Sequence, residues 1–482
     1  MKKTINKKAI ILLVVFLSMF LFAFIPMPVK ANGVALKIIV TDQQKPLIDG
    51  VKADFLASAL GTGVDSVEVI ASGTRADDQL VYLVAQMTAG STEFDVMGVD
   101  PPWMAQFAEN NWVVDLTSLL DANEMDDYVE GMVTACTYKG KIWAYPYFMN
   151  LGLLFYRKDL ITRNGFTTAD FDTWAELNTT ANAILGNASE QALNADLVGY
   201  VTQLDAYEGG VCNFFEWIGS NGVTNIMVDD DTVNLDQTKV VEAMTFLKAL
   251  IAPRYTGVQD TDYIIPREGL VMDEGSSVGA WTAGNAIFMR QWTFGYSASA
   301  TSSPLNATDA GGNYIQFGVA PLPTFTGATG EKSSVVGGAI LTIPKTSTHQ
   351  TEALNLIKFL GDTVAQEYEL TGDSNFPALK SVYDSPPTGW EWITGVKTQL
   401  PLTLARPVTP KYSLMSTQIA DKFADIIGCV KTPAEGLAEM ETDVNEVLGV
   451  VSEIPGFDIT ILLFTIAGTL ATIAIYKKKR KK

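Results

Sequence analysis

The sequence predicts an α/β fold built on a parallel, doubly wound sheet. Leu36–Val40, Ser66–Ile70 and Phe94–Gly98 are short apolar runs with the pattern of strands, whereas Pro46–Leu60 and Leu80–Ala89 have helical spacing. The order β-α-β-α-β is typical of a parallel sheet with right-handed crossover helices. The length of 482 residues predicts two or three domains.

The end of the third predicted strand is the first candidate site. Asp100, Pro101, Pro102 and Trp103 turn the chain sharply ahead of a short predicted helix, Met104–Glu109. Ligands of open parallel sheets bind at the carboxyl ends of strands, so Asp100 and Trp103 are predicted to border a crevice. Capping of the following helix is an alternative role for Asp100.

The segment Tyr138–Asp159 combines aromatic, small and polar residues in a way that is unusual for a core strand. Lys139 and Gly140 predict a tight turn. Pro146 interrupts the strand that follows, which favours an edge position or a crossing between two lobes. A buried strand pair that only carries aromatic residues is the alternative.

The remainder of the chain predicts a mostly helical second half. A segment rich in Ser, Thr, Asn and Gly that ends at Gly312 predicts a polar loop. Predicted helices are Phe171–Gly186, Tyr207–Gly219, Gln237–Ile251, Gln350–Leu360, Val364–Thr371, Ser413–Ile427 and Pro433–Val447; predicted β elements are the hairpin Val228–Leu235, the buried element Gly284–Trp292, and the strands Phe317–Pro323 and Val335–Pro344.

Both ends of the chain carry apolar runs flanked by basic residues. Lysines before the run Ala9–Ile25 and small residues near Ala31 predict a signal peptide over residues 1–31, with a retained anchor as the alternative. Residues 457–476 are long enough to span a hydrocarbon core of about 30 Å, and the basic tail 477–482 should stay in the cytoplasm. The sequence therefore predicts a single-pass cell-membrane protein with an extracellular ectodomain.

Composition argues against several classes of function. The formal net charge of −20 disfavours nucleic acid as a partner. His349 is the only histidine, which argues against His-dependent triads and His-rich zinc sites, and Walker, G-x-G-x-x-G and G-x-S-x-G motifs are absent. We therefore predict no catalytic residue, metal or cofactor. Cys136, Cys212 and Cys429 allow at most one disulfide, and the sequence does not say which.

Eight segments, in order, resemble the extracellular solute-binding proteins of ABC sugar importers of the trehalose/maltose-binding type. They cover most of residues 34–455 and are EFDVMGVDPPWMAQFAENNWVVDL (93–116), YKGKIWAYPYFMNLGLLFYRKDL (138–160), FDTWAEL (171–177), YEGGVCNFFEWIGSNG (207–222), GNAIFMRQW (284–292), FGVAPLP (317–323), SSVVGGAILTIPKTSTHQTEALNLIKFL (333–360) and ARPVTPKYSLMS (405–416). The resemblance implies a two-lobed, periplasmic-binding-protein-like clamp with discontinuous lobes. Residues 34–149 and 282–345 would form lobe I, and residues 150–281 and 346–455 would form lobe II.

The resemblance also implies a substrate-binding set in the cleft between the lobes. Within it, Asp100 would accept hydrogen bonds from sugar hydroxyls, Trp292 would stack on a sugar ring, and Arg406 would donate to sugar oxygens. Aromatic rings and paired donors and acceptors are what a sugar requires, although a core position is the alternative for Trp292. The full set is Arg75, Asp100, Tyr147, Asn150, Trp292, Gly338 and Arg406.

The expected function is that of a membrane-anchored receptor without enzymatic activity. It would capture an oligosaccharide or polyol by domain closure and deliver it to an ABC permease. A surface glycoside hydrolase with a carboxylate pair is one alternative, because sequence does not reveal carboxylate separations, and a sugar sensor or adhesin is another. Ala339 and Phe148 stand where many relatives carry a stacking Trp and a hydroxylated ring, which leaves the identity of the sugar open.

Overall fold

The computed structural model describes residues 33–449, except 74, 230–231, 236, 253–262, 311, 313 and 327–333. The predicted signal peptide, the apolar segment 457–476 and the basic tail lie outside the described residues. Within the described ranges, no helix is both long enough and apolar enough to cross a membrane.

Strands alternate with helices at the start of the described residues, and farther along the chain both occur in groups. The strands are β1 (Val34–Val40), β2 (Val64–Ala71), β3 (Val96–Val99), β4 (Thr137–Tyr138), β5 (Lys141–Ile142), β6 (Tyr145–Leu151), β7 (Leu153–Arg157), β8 (Val198–Val201), β9 (Met227–Asp229), β10 (Thr232–Val233), β11 (Ala286–Gln291), β12 (Phe317–Ala320), β13 (Ser334–Thr342), β14 (Phe376–Pro377) and β15 (Thr403–Leu404). The helices are α1 (Lys45–Ala57), α2 (Ala76–Thr88), α3 (Met104–Glu109), α4 (Glu130–Ala135), α5 (Lys158–Arg163), α6 (Trp174–Leu185), α7 (Ala188–Leu193), α8 (Glu208–Gly219), α9 (Thr238–Leu250), α10 (Glu274–Thr282), α11 (Gly295–Thr301), α12 (Gln350–Gly361), α13 (Thr363–Asp373), α14 (Lys380–Asp384), α15 (Tyr412–Ile427) and α16 (Pro433–Gly449), with short 3₁₀ helices at Pro101–Trp103, Thr168–Phe171, Arg267–Val271 and Glu391–Leu402.

Two sheets organise the molecule. The larger sheet has the order β14-β6-β13-β3-β1-β2, with β15 paired to β13, and the smaller sheet has the order β12-β7-β11-β8. β1 is parallel to β2 and to β3, which confirms the predicted β-α-β-α-β start. We call the larger sheet and its helices the first lobe, and the smaller sheet and its helices the second lobe.

Both lobes are discontinuous in sequence, but their boundaries differ from those expected. β11 and β12, expected in lobe I, pair with β7 and β8 in the smaller sheet. β14, expected in lobe II, pairs with β6 in the larger sheet, and α12 packs on β6 and β1. An apolar run marks a segment as a strand, but its pairing partner depends on the path of the whole chain, and this explains the difference.

The segment around Pro146 crosses from one lobe to the other. β6 runs through Pro146 without a break, contrary to the expected interruption. β14 pairs only with Phe148 and Met149, and the register with β13 shifts beside Pro146, so the ladder is already irregular where proline lacks an N–H donor. Gly152 then connects β6 of the larger sheet to β7 of the smaller one, which confirms the predicted crossing between lobes.

Stacked indoles hold the helices of the second lobe together. Trp174 of α6 and Trp217 of α8 are both fully buried, and their ring centroids lie 3.8 Å apart. The indole N–H of Trp174 donates to Ser220 Oγ at 2.9 Å, so the buried polar group is satisfied. This contact fixes α8, whose first residue reaches the cleft described below.

Candidate functional site

A cavity of about 410 Å³ lies in the cleft between the two lobes. The first lobe lines it with residues that follow the carboxyl ends of β1, β2 and β3, among them Thr41, Arg75 and Asp100. The second lobe lines it with the starts of α8 and α10 and with Trp292 after β11. The carboxyl ends of β1, β2 and β3, the parallel part of the larger sheet, are where ligands are expected to bind.

Most of the residues predicted to bind substrate line this cavity, and Tyr147 is the exception. Those that line it are Arg75, Asp100, Asn150, Trp292, Gly338 and Arg406. Tyr147 is fully buried and its hydroxyl donates to Glu369. Because neighbouring residues of a strand point to opposite faces, β6 turns Phe148 and Asn150 toward the cavity and Tyr147 away from it. The expectation that Tyr147 faces the cleft is therefore wrong for this structure.

Arg406 bridges the two lobes through a pair of carboxylates. Its Nη1 and Nη2 donate to Asp100 Oδ2 and Oδ1 at 2.8 and 2.6 Å, in the bidentate geometry that suits a guanidinium. Nη1 also donates to Glu208 Oε1 at 2.6 Å. Asp100 belongs to the first lobe and Glu208 opens α8 of the second, so one side chain that is only 3% exposed connects both.

Glu208 has further partners from α15. Tyr412 donates its hydroxyl to Glu208 Oε1 at 2.5 Å, and the hydroxyl of Ser416 donates to Oε2. Burial raises the pKa of Glu208 to about 7, and the positive charge of Arg406 opposes this shift. The carboxylate is thus surrounded by donors at the bottom of the cleft.

Trp292 is held in a fixed orientation beside the cavity. Its indole N–H donates to Glu274 Oε1 at 3.2 Å, and the Arg290 guanidinium carbon lies 3.9 Å from the ring centroid, within cation–π distance. Arg290 is itself held by Glu216, whose oxygens accept from Nε and Nη2 at 2.7 and 2.6 Å, and by Gln203. Trp292 is only half-buried, so it differs from a plain core tryptophan.

Each glycine of the pair in β13 is required for a different steric reason. A Cβ on Gly337 would lie 3.1 Å from the Trp292 ring. Gly338 has a φ of +106°, and a Cβ there would lie 2.2 Å from the carbonyl oxygen of Phe148. Gly338 therefore serves the close approach of β13 to β6, since only glycine adopts this conformation without strain.

Arg75 contacts the second lobe at the rim of the cavity. Its guanidinium carbon lies 4.4 Å from the centroid of the Tyr207 ring, and Nη2 is 3.7 Å from Asp205 Oδ2. Tyr207 in turn donates its hydroxyl to Glu274 Oε2 at 2.5 Å. Asn150 receives a hydrogen bond at its amide oxygen from the hydroxyl of Thr293, which also joins the two lobes.

Sequence reasoning missed several cavity residues, notably Glu208, Glu274 and Asp373. Glu208 and Glu274 are the first residues of α8 and α10, where an acid is favourable for the helix in any case, so the sequence offers no signal of function. In the described ranges, no group of three or more His, Cys, Asp or Glu residues could hold a metal ion.

A family model described as bacterial extracellular solute-binding protein matches residues 53–394. The chain belongs to this family. The solute-binding protein is 28% identical over 404 residues to a probable ABC transporter-binding protein of Deinococcus radiodurans, which covers 82% of this chain and 89% of the relative. The match confirms the resemblance found in the sequence at the level of the family.

Solved structures confirm the two-lobed fold. Maltose-bound MalE3 of T. maritima matches this solute-binding protein with a TM-score of 0.74 and 26% identity, over 86% of this chain and all of the other (100%). The GacH receptor of Streptomyces glaucescens, solved unliganded and with acarbose, matches with a TM-score of 0.70 and 20% identity, over 87% of this chain and 99% of the other. The second likeness concerns the fold alone.

Proposed function

We propose that this solute-binding protein is a carbohydrate receptor of an ABC importer. The observation that carries the proposal is a cavity lined from both lobes, in which the half-buried Trp292 lies near the hydrogen-bonding groups of Asp100, Asn150 and Arg406. An aromatic face together with convergent donors and acceptors suits the C–H faces and hydroxyls of a sugar. The maltose bound to the T. maritima relative supports the same class of ligand.

Asp100 can accept hydrogen bonds from a sugar while its ion pair with Arg406 stays intact. Each carboxylate oxygen of Asp100 accepts one hydrogen bond from Arg406, and each has a second lone pair available for a sugar hydroxyl. Trp292 would stack on a sugar ring, and Asn150 would contact a hydroxyl. Gly338 shapes the wall of the cavity, and Arg75 would close its rim against Tyr207.

Capture would proceed by closure of the lobes. A ligand that contacts both lobes binds the closed form more tightly than the open form, so it shifts the population toward closure. Gly152, between β6 and β7, is one point at which the chain crosses between the lobes.

We further propose that residues 457–476 anchor the receptor in the membrane beside an ABC permease, after removal of a signal peptide over residues 1–31. The length and apolar character of the carboxyl-terminal run and its basic tail support this arrangement. Deleting residues 457–482 should move the protein from the membrane fraction to the medium. An unchanged distribution would contradict the anchor.

The test of the function is a thermal-shift screen of the protein against mono-, di- and trisaccharides and polyols, followed by calorimetry. A ligand that binds only the folded state raises the melting temperature. Trp292→Ala should weaken binding of the ligand found by at least about tenfold through loss of a stacking partner. Trp143→Ala, a matched half-buried tryptophan outside the cavity, should leave affinity unchanged. Failure of every carbohydrate and polyol to bind would refute the proposal.

Binding without turnover is also expected. Incubation with labelled oligosaccharides should produce no new reducing ends, whereas their appearance would point to hydrolysis by a carboxylate pair.

A further inference from the structure

One carboxylate in the cavity is not explained by the fold. Asp373 lines the cavity and is the last residue of α13. Within the described part of the chain, its carboxylate has no hydrogen-bond or ion-pair partner, and burial alone raises its pKa to about 6. The carboxylate is only partly exposed and receives no donor from the described part of the chain, so a donor on a bound ligand can take that place.

The position of Asp373 at the carboxyl end of its helix also disfavours an unpaired negative charge. The carboxyl-terminal carbonyls of a helix carry the negative end of the helix dipole, which disfavours an acid and favours a cation. Helix α13 spans 11 residues and ends at Asp373, and the next residue, Ser374, has a φ of 60°. A positive group in the cavity near Asp373 would therefore be stabilised by the carboxylate and by the helix end together.

The other acids of the cavity already have partners. Asp100 and Glu208 share Arg406, and Glu274 accepts from Tyr207 and Trp292. Asp273 accepts from the backbone N–H and the hydroxyl of Ser276 at 2.9 and 2.7 Å. With Asp373 included, the lining holds five acids against the two bases Arg75 and Arg406.

This balance gives the cavity an excess of negative charge. Such a potential favours a positive ligand group and opposes phosphate, sulfate or carboxylate on the ligand. The cavity, its aromatic ring and its hydrogen-bonding groups define the site, and the negative charge restricts the class of ligand that binds there.

Building on the proposed carbohydrate-binding function, we propose that the ligand is a carbohydrate with a protonated amino group, and that Asp373 accepts the hydrogen bonds of that ammonium. An ammonium group supplies three donors, and its hydrogen bonds to a carboxylate are charge-assisted and stronger than those of a hydroxyl. Asp373 is then the residue that distinguishes an amino sugar from its neutral counterpart.

Calorimetry on the full-length protein at pH 7 with matched sugar pairs tests this. The pairs are glucose and glucosamine, galactose and galactosamine, and cellobiose and the β-1,4-linked glucosamine disaccharide, with galacturonic acid as the anionic probe. In the pair that binds, the amino member should bind about tenfold more tightly than the neutral one, and galacturonic acid should bind least.

Variants assign the effect to one side chain. Asp373→Asn should abolish the advantage of the amino sugar while the neutral member still binds. It should melt no lower than the wild type, because Asp373 has no partner to lose. Glu367→Gln, on the same helix but outside the cavity lining, should keep the advantage.

The outcomes separate the two proposals. Equal or tighter binding of the neutral sugars, or an amino advantage that survives in Asp373→Asn, would overturn the amino-sugar assignment and leave the carbohydrate receptor standing. If none of these sugars and no member of the wider carbohydrate screen binds, both proposals are refuted.

Discussion

Glu369 makes the stability of the first lobe depend on pH in a way that one substitution can remove. Its side chain is 1% exposed and accepts from the hydroxyl of Tyr147 and from Asn375 Nδ2, the latter at 2.8 Å. Burial raises the pKa of Glu369 from 4.5 to about 7. The native protein therefore binds more protons than the unfolded chain between about pH 4.5 and 7, so stability falls as the pH rises through this window.

The size of the effect follows from the shift. One pKa unit corresponds to about 1.4 kcal/mol, so ionising Glu369 inside the folded protein costs about 3 kcal/mol above pH 7 relative to pH 4.5 and below. Glu369→Gln keeps the shape of the side chain and cannot ionise. Between pH 5 and pH 8 the free energy of unfolding should fall in both proteins, and we expect the fall in Glu369→Gln to be about 2 to 3 kcal/mol smaller than in the wild type.

Urea unfolding at both pH values measures this difference, because the other titrating groups are present in both proteins, including Asp373, whose charge also raises the pKa of Glu369. Glu367→Gln on the same helix is the control and should follow the wild-type pH dependence. Equal pH dependence of Glu369→Gln and the wild type would show that Glu369 is already ionised, or that its burial costs nothing, and would refute the reasoning.

Two further predictions concern stability, measured by chemical denaturation. Gly338→Ala should destabilise the protein by about 3 kcal/mol or more, because Gly338 combines a φ of +106° with a close contact to the Phe148 carbonyl. Gly140→Ala, at a φ of +73° with open space around it, should cost only about 1 kcal/mol, and similar losses in the two variants would contradict the steric explanation. Arg290→Met should cost about 3 to 5 kcal/mol because it leaves Glu216 charged and buried without a partner, and adding Glu216→Leu should restore part of that loss; a double variant no more stable than the single one would argue against it.

The part of the fold that sequence predicts well is the part that depends on local pattern. β1, β2 and β3 and the helices between them are alternating runs whose order alone specifies a parallel sheet. Helix α10 (Glu274–Thr282) and helix α11 (Gly295–Thr301) were missed because their glycine, serine and threonine content resembles that of a loop. Tertiary packing stabilises them where propensity does not.

The binding cleft could be predicted as a set of residues but not as an arrangement. Arg406 meets residues that lie 306 and 198 positions away, Asp100 and Glu208, and no spacing rule connects them. The error at Tyr147 has a similar origin, since a strand with two buried faces does not show by its sequence which face borders the cleft. Asp373 gave no signal because an acid at the end of a helix is unremarkable until its surroundings are known.

The position of Arg406 also limits how the clamp can open. Any motion that draws Asp100 of the first lobe away from Glu208 of the second would separate Arg406 from one of its two carboxylates, and breaking a buried ion pair is costly. A rotation whose axis passes through Arg406 keeps both contacts intact. The large displacement then falls on the distant rim, where Arg75 and Asp205 form a weaker, partly exposed ion pair that solvent can replace. With strong interactions at the rotation axis and weak ones at the rim of the cleft, the lobes could separate and release the ligand while the ion pairs of Arg406 stay intact.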